Sequence, residues 1–571
     1  MKKRIVAVLM TVMLCTACGK EAVEPVSSNP TPVAEKTDYD QKDVEARIKE
    51  VGESYDGLYD YDSDMMMMTN SVMTEEAAVS DSAKTGAPAV ETPVEDIPYV
   101  DVDWNTENYN DINEHGFVAV SSAPFSTFGA DVDTATYSNL RRRLYESDGF
   151  GITDNAIRIE EMVNYFHYDY PDAADNKFSV LADVAPCPWN KDTMVLRVGI
   201  KAQEVQADKG SNIVFLIDTS GSMFNNNKLP LAQEAFKILQ EQLTDKDTVS
   251  IVTYAGTEDV ALEGAKGTDH KKIVEAIDNL EAWGSTNGEG GIVKAYEIAE
   301  KYFIEGGNNR VILATDGDLN VGVSSEAGLI NLIEEKRETG VYLSCLGFGD
   351  GNYQDDKMEA LADHGNGNYA FIDCTREAER VLKDEIWSTL YTVAKDVKFQ
   401  VEFNPAQVKA YRQIGYENRA MSAEDFADDT KDGGEVGSGQ TVTVLYELVL
   451  KDSAMEIDEP ASRYSGNEES VIENDELLAV NIRYKEPNEN DSKLIVQPVT
   501  PDMVKDSMDD DMSWAVGVAQ FGMVLRDSEF KGNSTYDTIY NRLVSNPAVM
   551  TDDFKAEFLY LVQLANEQSN K

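Results

Sequence analysis

The stretch "IVFLIDTSGSM", residues 213–223, passes from an apolar run directly into a polar loop. A short unbroken apolar run such as 213–217 is typical of a strand that is buried on both faces of a sheet. Asp218, Ser220 and Ser222 follow the run at alternate positions. Because alternate residues of an extended segment point the same way, one carboxylate and two hydroxyls can converge on a single point where the strand ends.

The sequence around this stretch alternates between short apolar runs and helical patterns, from residue 211 to about residue 390. Such alternation predicts an α/β domain with a doubly wound, mostly parallel sheet that is covered by helices on both faces. Sites in such sheets lie beyond the carboxyl ends of the strands. The runs that predict strands are "NIVFLIDTS", "DTVSIVTYAG", "NRVILATDGD", "VYLSCLGFGD" and "NYAFID". The helical patterns are "LPLAQEAFKILQEQL", "HKKIVEAIDNLEAW", "GGIVKAYEIAEKYF", "AGLINLIEEKRE" and "DKMEALADH".

Two later segments carry further oxygen donors at comparable positions. Thr286 lies in the glycine-rich loop "AWGSTNGEGG" before a predicted helix, and Asp316 follows the apolar run of "VILATDGD". If the sheet is doubly wound, these loops meet the Asp218 loop at one edge, and their oxygens are the ligands that hard divalent cations prefer. The alternative is a set of capped turns, because Asp and Ser side chains commonly bond to loop backbone.

The segments "DTSGSM", "GSTNG" and "ATDGD" resemble the metal-ion-dependent adhesion site of the von Willebrand factor type A family, whose fold is Rossmann-like. The resemblance implies that Asp218, Ser220, Ser222 and Thr286 hold a metal ion, and that Asp316 holds it directly or through water. It implies Mg²⁺ as the ion, with Mn²⁺ or Ca²⁺ as alternatives. It also implies a protein partner that contributes an Asp or Glu carboxylate to the metal.

The same resemblance implies a protein-binding module. Because no nucleophile–base pair can be named in the sequence, we expect that the chain is not an enzyme. We expect selectivity for the partner to come from the surface around the metal, which comprises 224–228, 284–291 and 319–324. A structural role is the alternative: the chain would scaffold an assembly in the envelope, with a fixed neighbour at the metal. Binding that a chelator reverses would distinguish a transient adhesin from a constitutive scaffold.

A metal-dependent phosphatase has weaker support in the sequence. The segment "GADVDTATY" (129–137) places Asp131 and Asp133 as in the DxDxT/V pattern of aspartyl-phosphate phosphatases, but Ala135 stands at the Thr/Val position. The sequence has no GxxxxGK[ST] phosphate loop and no HExxH zinc motif, and none of its four histidines is adjacent to the metal-site segments. The net charge of −54, from 104 acidic and 50 basic residues, opposes binding to nucleic acid.

The regions on either side of the α/β domain, 96–205 and 391–571, resemble the flanking regions of bacterial lipoproteins that contain a von Willebrand factor type A domain. The resemblance rests on "FGADVDTATYSNLRRRL" and "IRIEEMVNYFHYDYP" in the first region and on "VKFQVEFNPAQVKAYRQIGYENR" in the second. Alternating strands at 178–201 and 395–485 predict one β-sandwich, into which the α/β domain (206–390) is inserted. Two helical stretches close the chain, "MSWAVGVAQFGMVLR" and "DDFKAEFLYLVQLANE".

The N-terminus carries an export signal. "MKKRIVAVLMTVMLCTACGK" has basic residues, an apolar stretch too short to span a bilayer, and small residues before Cys18. It resembles a bacterial lipoprotein signal (1–17) with lipid on Cys18, and an ordinary secretory signal is the alternative. The segment 18–95 is rich in Pro, Ser and acidic residues and predicts a disordered tether. We therefore expect a lipid-anchored protein on the extracytoplasmic face of a bacterial membrane. Any pairing among Cys187, Cys345 and Cys374 is left open.

Overall fold

The computed structural model describes most of the chain after residue 110 and one segment before it. The predicted signal peptide, Cys18, Asp131, Thr286 and the segment 319–324 lie outside the described residues. The described ranges are 39–59, 111–130, 133–146, 154–205, 209–285, 288–317, 326–350, 354–431, 433–457, 475–487, 489 and 491–570.

Within these ranges the chain forms an α/β domain, a β-sandwich and a helical bundle. In chain order the strands are β1 (Val118–Ala119), β2 (Phe125–Gly129), β3 (Phe178–Pro186), β4 (Met194–Ala202), β5 (Ser211–Asp218), β6 (Thr248–Tyr254), β7 (Glu258–Lys266), β8 (Asn308–Thr315), β9 (Tyr342–Phe348), β10 (Tyr369–Ile372), β11 (Thr392–Phe403), β12 (Val408–Ile414), β13 (Ala420–Met421), β14 (Val436–Gly437), β15 (Thr441–Leu450), β16 (Leu478–Lys485) and β17 (Ser492–Val499). The α-helices are α1 (Gln41–Tyr59), α2 (Ala135–Tyr145), α3 (Ile159–Asn164), α4 (Leu229–Glu241), α5 (His270–Asp278), α6 (Gly288–Lys301), α7 (Glu326–Arg337), α8 (Asp355–His364), α9 (Thr375–Glu379), α10 (Ile386–Leu390), α11 (Asp510–Leu525), α12 (Tyr536–Leu543) and α13 (Asp553–Ser569).

The α/β domain is built on a six-stranded sheet in the order β10-β9-β8-β5-β6-β7. The first five are parallel, and β7 is antiparallel to β6 at the edge. Side chains of β5 alternate between two cores: Phe215 and Ile217 belong to the core formed with α4, and Val214 and Leu216 to the core formed with α6. Helices therefore cover both faces, which confirms the predicted doubly wound sheet and its five predicted strands. The sequence pattern misses β7 because most of its residues are exposed.

The β-sandwich has two antiparallel sheets that share one hydrophobic core. One sheet has the order β1-β12-β15-β4-β3, and the other has the order β13-β2-β11-β16-β17 with β14 paired to β11. Leu196 and Val444 of the first sheet lie in the same core as Phe399 and Val480 of the second. The chain leaves the sandwich after β4, forms the whole α/β domain, and returns at β11. The predicted insertion into a sandwich is confirmed, and the two flanking regions share their sheets.

The helical bundle joins the N-terminal and C-terminal parts of the chain around one aromatic core. Phe166 next to α3 makes edge-to-face ring contacts with Trp514 of α11 and Phe558 of α13. The two predicted C-terminal helices are α11 and α13, and α12 lies between them. Among the described helices, none is both long and apolar enough to cross a membrane.

One segment differs from the sequence prediction. Residues 41–59 lie inside the segment predicted as a disordered tether (18–95), but they form helix α1. Val44, Ile48, Val51 and Tyr55 are buried in the bundle core, and their spacing of four, three and four residues places them on one helix face. The Pro- and acid-rich composition around the segment is typical of a linker, and it obscures the helical spacing of these four apolar residues. The tether prediction is therefore wrong for 41–59.

Candidate metal centre

The pairing of β5 and β8 places the predicted metal-site residues of two loops side by side. The strands are parallel and in register, with Ile217 opposite Ala314, so Asp218 and Thr315 are the next pair. The Thr315 hydroxyl donates to Asp218 Oδ2 at 3.0 Å. Asp316 follows directly and is buried. The carboxylates at these two strand ends are therefore neighbours, as the sequence predicts for a doubly wound sheet.

The loop after β5 folds back on Asp218. The backbone N–H of Ser220 donates to Asp218 Oδ1 at 2.9 Å, and the Ser220 and Ser222 hydroxyl oxygens lie 3.0 Å apart. Asp218 and Ser220 are buried, whereas Ser222 is exposed. The alternate spacing thus brings the three polar side chains together, with Ser222 on the solvent side.

The glycine-rich loop before α6 is attached to the Asp218 loop through its backbone. The N–H of Trp283 donates to the Thr219 carbonyl at 2.7 Å, and the N–H of Gly221 donates to the Gly284 carbonyl at 3.0 Å. Gly284 has a φ of +96°, a conformation that side chains disfavour. These bonds hold the described end of the loop against the Asp218 loop. The assignment of Thr286, outside the described residues, stays a prediction.

Lys228 lies in the candidate site itself, whereas its sequence position predicts only a place in the surrounding surface. Its ammonium donates to Asp316 Oδ2 at 2.9 Å, and both side chains are buried. Its methylenes pass over Gly349 after β9, where φ is +80° and a Cβ would overlap them. A lysine in a polar loop before a helix gives no signal of burial, because only the tertiary fold brings it to Asp316.

The environment of Asp218 favours a bound cation. Burial raises the pKa of Asp218 to about 6 and the nearby Asp316 adds to the effect, while hydrogen bonds from Ser220 and Thr315 act in the opposite direction. Burial, together with the adjacent Asp218 carboxylate, raises the pKa of the Tyr254 hydroxyl well above its usual value. A carboxylate in this setting is stabilised by a positive charge.

The donor set fits a hard divalent cation, which prefers carboxylate and hydroxyl oxygens. Asp218, Ser220, Ser222 and Asp316 would hold the ion. Among the described residues, no group of three or more His, Cys, Asp and Glu has metal-binding geometry. The hydroxyls of the two serines thus supply half of this set of four donor side chains, beside two described carboxylates.

The residues considered for other chemistry lie elsewhere. Asp133 accepts from the Tyr369 N–H at 3.1 Å and from Arg419 at 3.0 Å. Tyr369 begins β10, so Asp133 lies at the amino edge of the sheet, opposite the metal-site edge. The three described cysteines outside the signal are free and buried. Three of the histidines pair with other groups: His167 with Glu385, His270 with Gln240 and His364 with Glu334.

Three family models match consecutive parts of the chain. They are "von Willebrand factor" over 103–197, "von Willebrand factor type A domain" over 212–384 and "Uncharacterized protein YfbK, C-terminal" over 388–568. The "Uncharacterized protein YfbK" of Escherichia coli (strain K12) is 39% identical over 475 residues, which cover 81% of this chain and 81% of that protein. The chain belongs to the YfbK family. The match over 212–384 encloses the candidate metal-site residues of this YfbK-family chain.

Two further comparisons cover smaller or more distant relatives of the YfbK-family chain. Inter alpha-trypsin inhibitor, heavy chain 4 of Mus musculus is 28% identical over 171 residues, 28% of this chain and 18% of that protein. The solved structure of a von Willebrand factor type A from Catenulispora acidiphila has a TM-score of 0.36 and 16% identity, covering 70% of this chain and 91% of that one. Von Willebrand factor type A domains mediate protein–protein interactions and typically bind a divalent metal ion.

Proposed function

We propose that this YfbK-family protein binds a protein partner through a divalent metal ion at the carboxyl edge of the α/β sheet. The observation that carries the proposal is the meeting of Asp218, Ser220, Ser222 and Asp316 at two adjoining strand ends. The ion is Mg²⁺ in this proposal, with Mn²⁺ or Ca²⁺ as alternatives. Thr286 completes the donor set.

The charges of the site support a partner that supplies a carboxylate. A divalent ion would supply two positive charges and Lys228 a third, against the two negative charges of Asp218 and Asp316. One positive charge remains in a site where two carboxylates are already buried. Attraction between unlike charges is stronger there than in bulk water, so an Asp or Glu of the partner is the favoured ligand.

The same proposal places the protein on the extracytoplasmic face of a bacterial membrane, anchored by lipid on Cys18. The support is the signal-like sequence before Cys18. Replacing Cys18 with Ser should move the protein from the membrane fraction to the soluble fraction. Mass spectrometry of the N-terminal peptide should show the added lipid in the wild-type protein and not in the Cys18→Ser variant. A fully membrane-bound Cys18→Ser protein would contradict the lipid anchor.

Metal binding is tested first by thermal unfolding of the full-length protein with Mg²⁺ and with a chelator. A ligand at a hundredfold its dissociation constant stabilises the folded state by about 2.7 kcal/mol, which raises the melting temperature by several degrees. Asp218→Asn should abolish this rise because it removes a charged ligand and keeps the side-chain shape. The matched control is Asp245→Asn, an exposed aspartate just before β6 at the opposite edge of the sheet, and it should keep the full rise.

Partner binding is tested by capture from solubilised bacterial membranes on the immobilised full-length protein. The proposal expects bound protein that a chelator releases, that returns with Mg²⁺, and that Asp218→Asn does not capture. Capture that resists both the chelator and Asp218→Asn would contradict metal-dependent binding. Such capture is the result expected of the scaffold alternative, in which a fixed neighbour is held constitutively.

A further inference from the structure

The two most exposed large apolar side chains in the described part of the chain lie beside the metal site. Trp283 is 84% exposed and Phe224 is 68% exposed. Phe224 is the last residue of the 3-10 turn Gly221–Phe224, which contains Ser222. Trp283 lies in the loop whose backbone forms hydrogen bonds with Thr219 and Gly221, the two neighbours of Ser220. The exposed aromatic surface therefore coincides with the site that the proposed function assigns to the partner.

Contacts within the two loops fix the position of both aromatic residues. Trp283 donates its own N–H to the Thr219 carbonyl at 2.7 Å, so its Cα is held against the Asp218 loop. Met223, next to Phe224, is completely buried and anchors the turn from below. Two large, solvent-exposed apolar side chains beside one site are typical of a binding surface, because aromatic residues supply much of the affinity at protein interfaces.

The charge of the surrounding surface restricts what can bind there. Glu258 and Asp259 begin β7 and pair with the end of β6, whose Tyr254 carbonyl accepts from the Thr219 N–H. Glu281 precedes Trp283 by two residues, and all three acidic side chains are exposed. Like charges repel, so these three side chains disfavour a strongly acidic stretch of a partner at this surface. A single carboxylate has no such penalty once it reaches the positively charged centre.

We propose that the partner presents one Asp or Glu flanked by large apolar side chains, which pack on Trp283 and Phe224 while the carboxylate reaches the metal. This inference rests on the proposed function and specifies the chemistry of its ligand. The occupant is a polypeptide segment with an apolar–acid–apolar pattern. Affinity comes from the aromatic contacts, and the carboxylate provides the dependence on the metal.

The test measures binding of three short synthetic peptides to the immobilised full-length protein in Mg²⁺. The first peptide has one aspartate between phenylalanine and leucine residues, the second has asparagine in its place, and the third has glutamates in place of the apolar residues. The first should bind most tightly. Trp283→Ala and Phe224→Ala should each weaken its binding roughly 10- to 100-fold, the range of interface hot spots. Both side chains are exposed, so the fold and the Mg²⁺-induced thermal shift should be unchanged.

The matched control is Trp387→Ala, which removes another exposed tryptophan, on α10, and should leave peptide binding unchanged. Equal or tighter binding of the glutamate-rich peptide, or chelator-sensitive binding that both aromatic variants retain, would overturn this inference and leave the proposed function intact. Absence of metal-dependent binding to every peptide would also overturn this inference, whereas absence of the Mg²⁺-induced thermal shift in the wild-type protein would contradict the proposed function itself. Mg²⁺-dependent dimers of the protein would assign the aromatic surface to a second copy of the chain. Sedimentation with anionic lipid vesicles that depends on Trp283 would assign it to a membrane. Either result would overturn the inference.

Discussion

Lys228 and Asp316 form a buried ion pair at the edge of the candidate metal site. Taking two charges out of water is expensive, and a pair of this kind is tolerated because each partner compensates the other. Asp316 therefore has a compensating charge even without metal, whereas Asp218 accepts hydrogen bonds from the neutral groups of Ser220 and Thr315. Lys228 is a positioning residue in this arrangement, because it holds Asp316 in the folded loop.

Replacing Lys228 with Met should destabilise the metal-free protein by about 3–5 kcal/mol, the usual cost of leaving one buried charge without its partner. Mg²⁺ should recover a large part of this loss, because a divalent ion at the site compensates Asp316 in place of the ammonium. The measurement is denaturant unfolding of the variant and the wild type, each with Mg²⁺ and with a chelator.

The control for Lys228 is Lys237→Met, a lysine of α4 whose partners Glu234 and Asp278 are exposed. Ion pairs at the surface contribute little, so the loss should stay below about 1 kcal/mol and should not depend on Mg²⁺. If the Lys228 variant loses the same stability with and without Mg²⁺, the ammonium and the ion do not compensate the same carboxylate.

At the scale of elements, a buried ionic cluster joins the α/β domain to the helical bundle. Arg141 of α2 contacts Asp373 at 2.5 Å, Glu377 of α9 at 2.7 Å and Glu557 of α13 at 3.7 Å. Glu377 has a second cation, Arg380, at 2.7 Å. Glu557 is the most distant of the carboxylates that share Arg141, so it gains the least from the guanidinium.

The two glutamates accordingly have pKa shifts of opposite direction. Burial raises the pKa of Glu557 to about 8 from a usual value of 4.5, although Arg141 acts against it. Burial alone would also raise the pKa of Glu377, but Arg380 and Arg141 outweigh it and lower the pKa. The folded state thus holds a proton on Glu557 more tightly than the unfolded state does. The contribution of Glu557 to stability is complete below about pH 4.5 and is lost as the pH rises to about 8.

Glu557→Gln should therefore remove part of this pH dependence. Glutamine stays neutral, so the variant should become more stable than the wild type at about pH 9, by an amount on the order of a few kcal/mol. The measurement is the free energy of unfolding from about pH 5 to pH 9. Glu377→Gln is the matched control with the opposite sign, because its carboxylate is stabilised by Arg380 and Arg141. A loss of stability at high pH in both variants would show that Glu557 is held as a carboxylate.

At the scale of the whole molecule, local patterns predict the sheet and the oxygen-bearing side chains at its strand ends, whereas long-range contacts are not predictable from them. The apolar run 213–217 and the oxygen-bearing side chains after it lie within eleven residues, so the strand and its loop can be predicted from the sequence. Strand β7 and the burial of Lys228 depend on pairing with distant segments. The apolar face of α1 has helical spacing in the sequence, but the acidic residues around it resemble a linker. Arg141 gives no sign in the sequence that it will contact Glu557, more than four hundred positions later.

The net charge of −54 gives the whole molecule a negative long-range field. A metal ion at the candidate site would add a positive charge that acts only at short range. An acidic partner is repelled at long distance, because the field of the surface carboxylates reaches about 30 Å at an ionic strength of 0.01 M. At about 0.15 M the reach falls to about 8 Å, and the local charge of a bound ion and of Lys228 would then decide the interaction. Salt should therefore assist the approach of an acidic partner to this site.

We expect the association rate of a peptide with several negative charges to rise several-fold between about 0.01 M and 0.15 M ionic strength, at constant Mg²⁺, since screening removes the long-range repulsion. A peptide with the same central aspartate and added lysines, with zero net charge, should change less than about twofold because little net force acts on it. Rapid-mixing kinetics with the full-length protein measures both rates. A rate that falls with salt for the acidic peptide would mean that the positive field of the metal site extends beyond the acidic surface, and that the ion itself steers the partner from a distance.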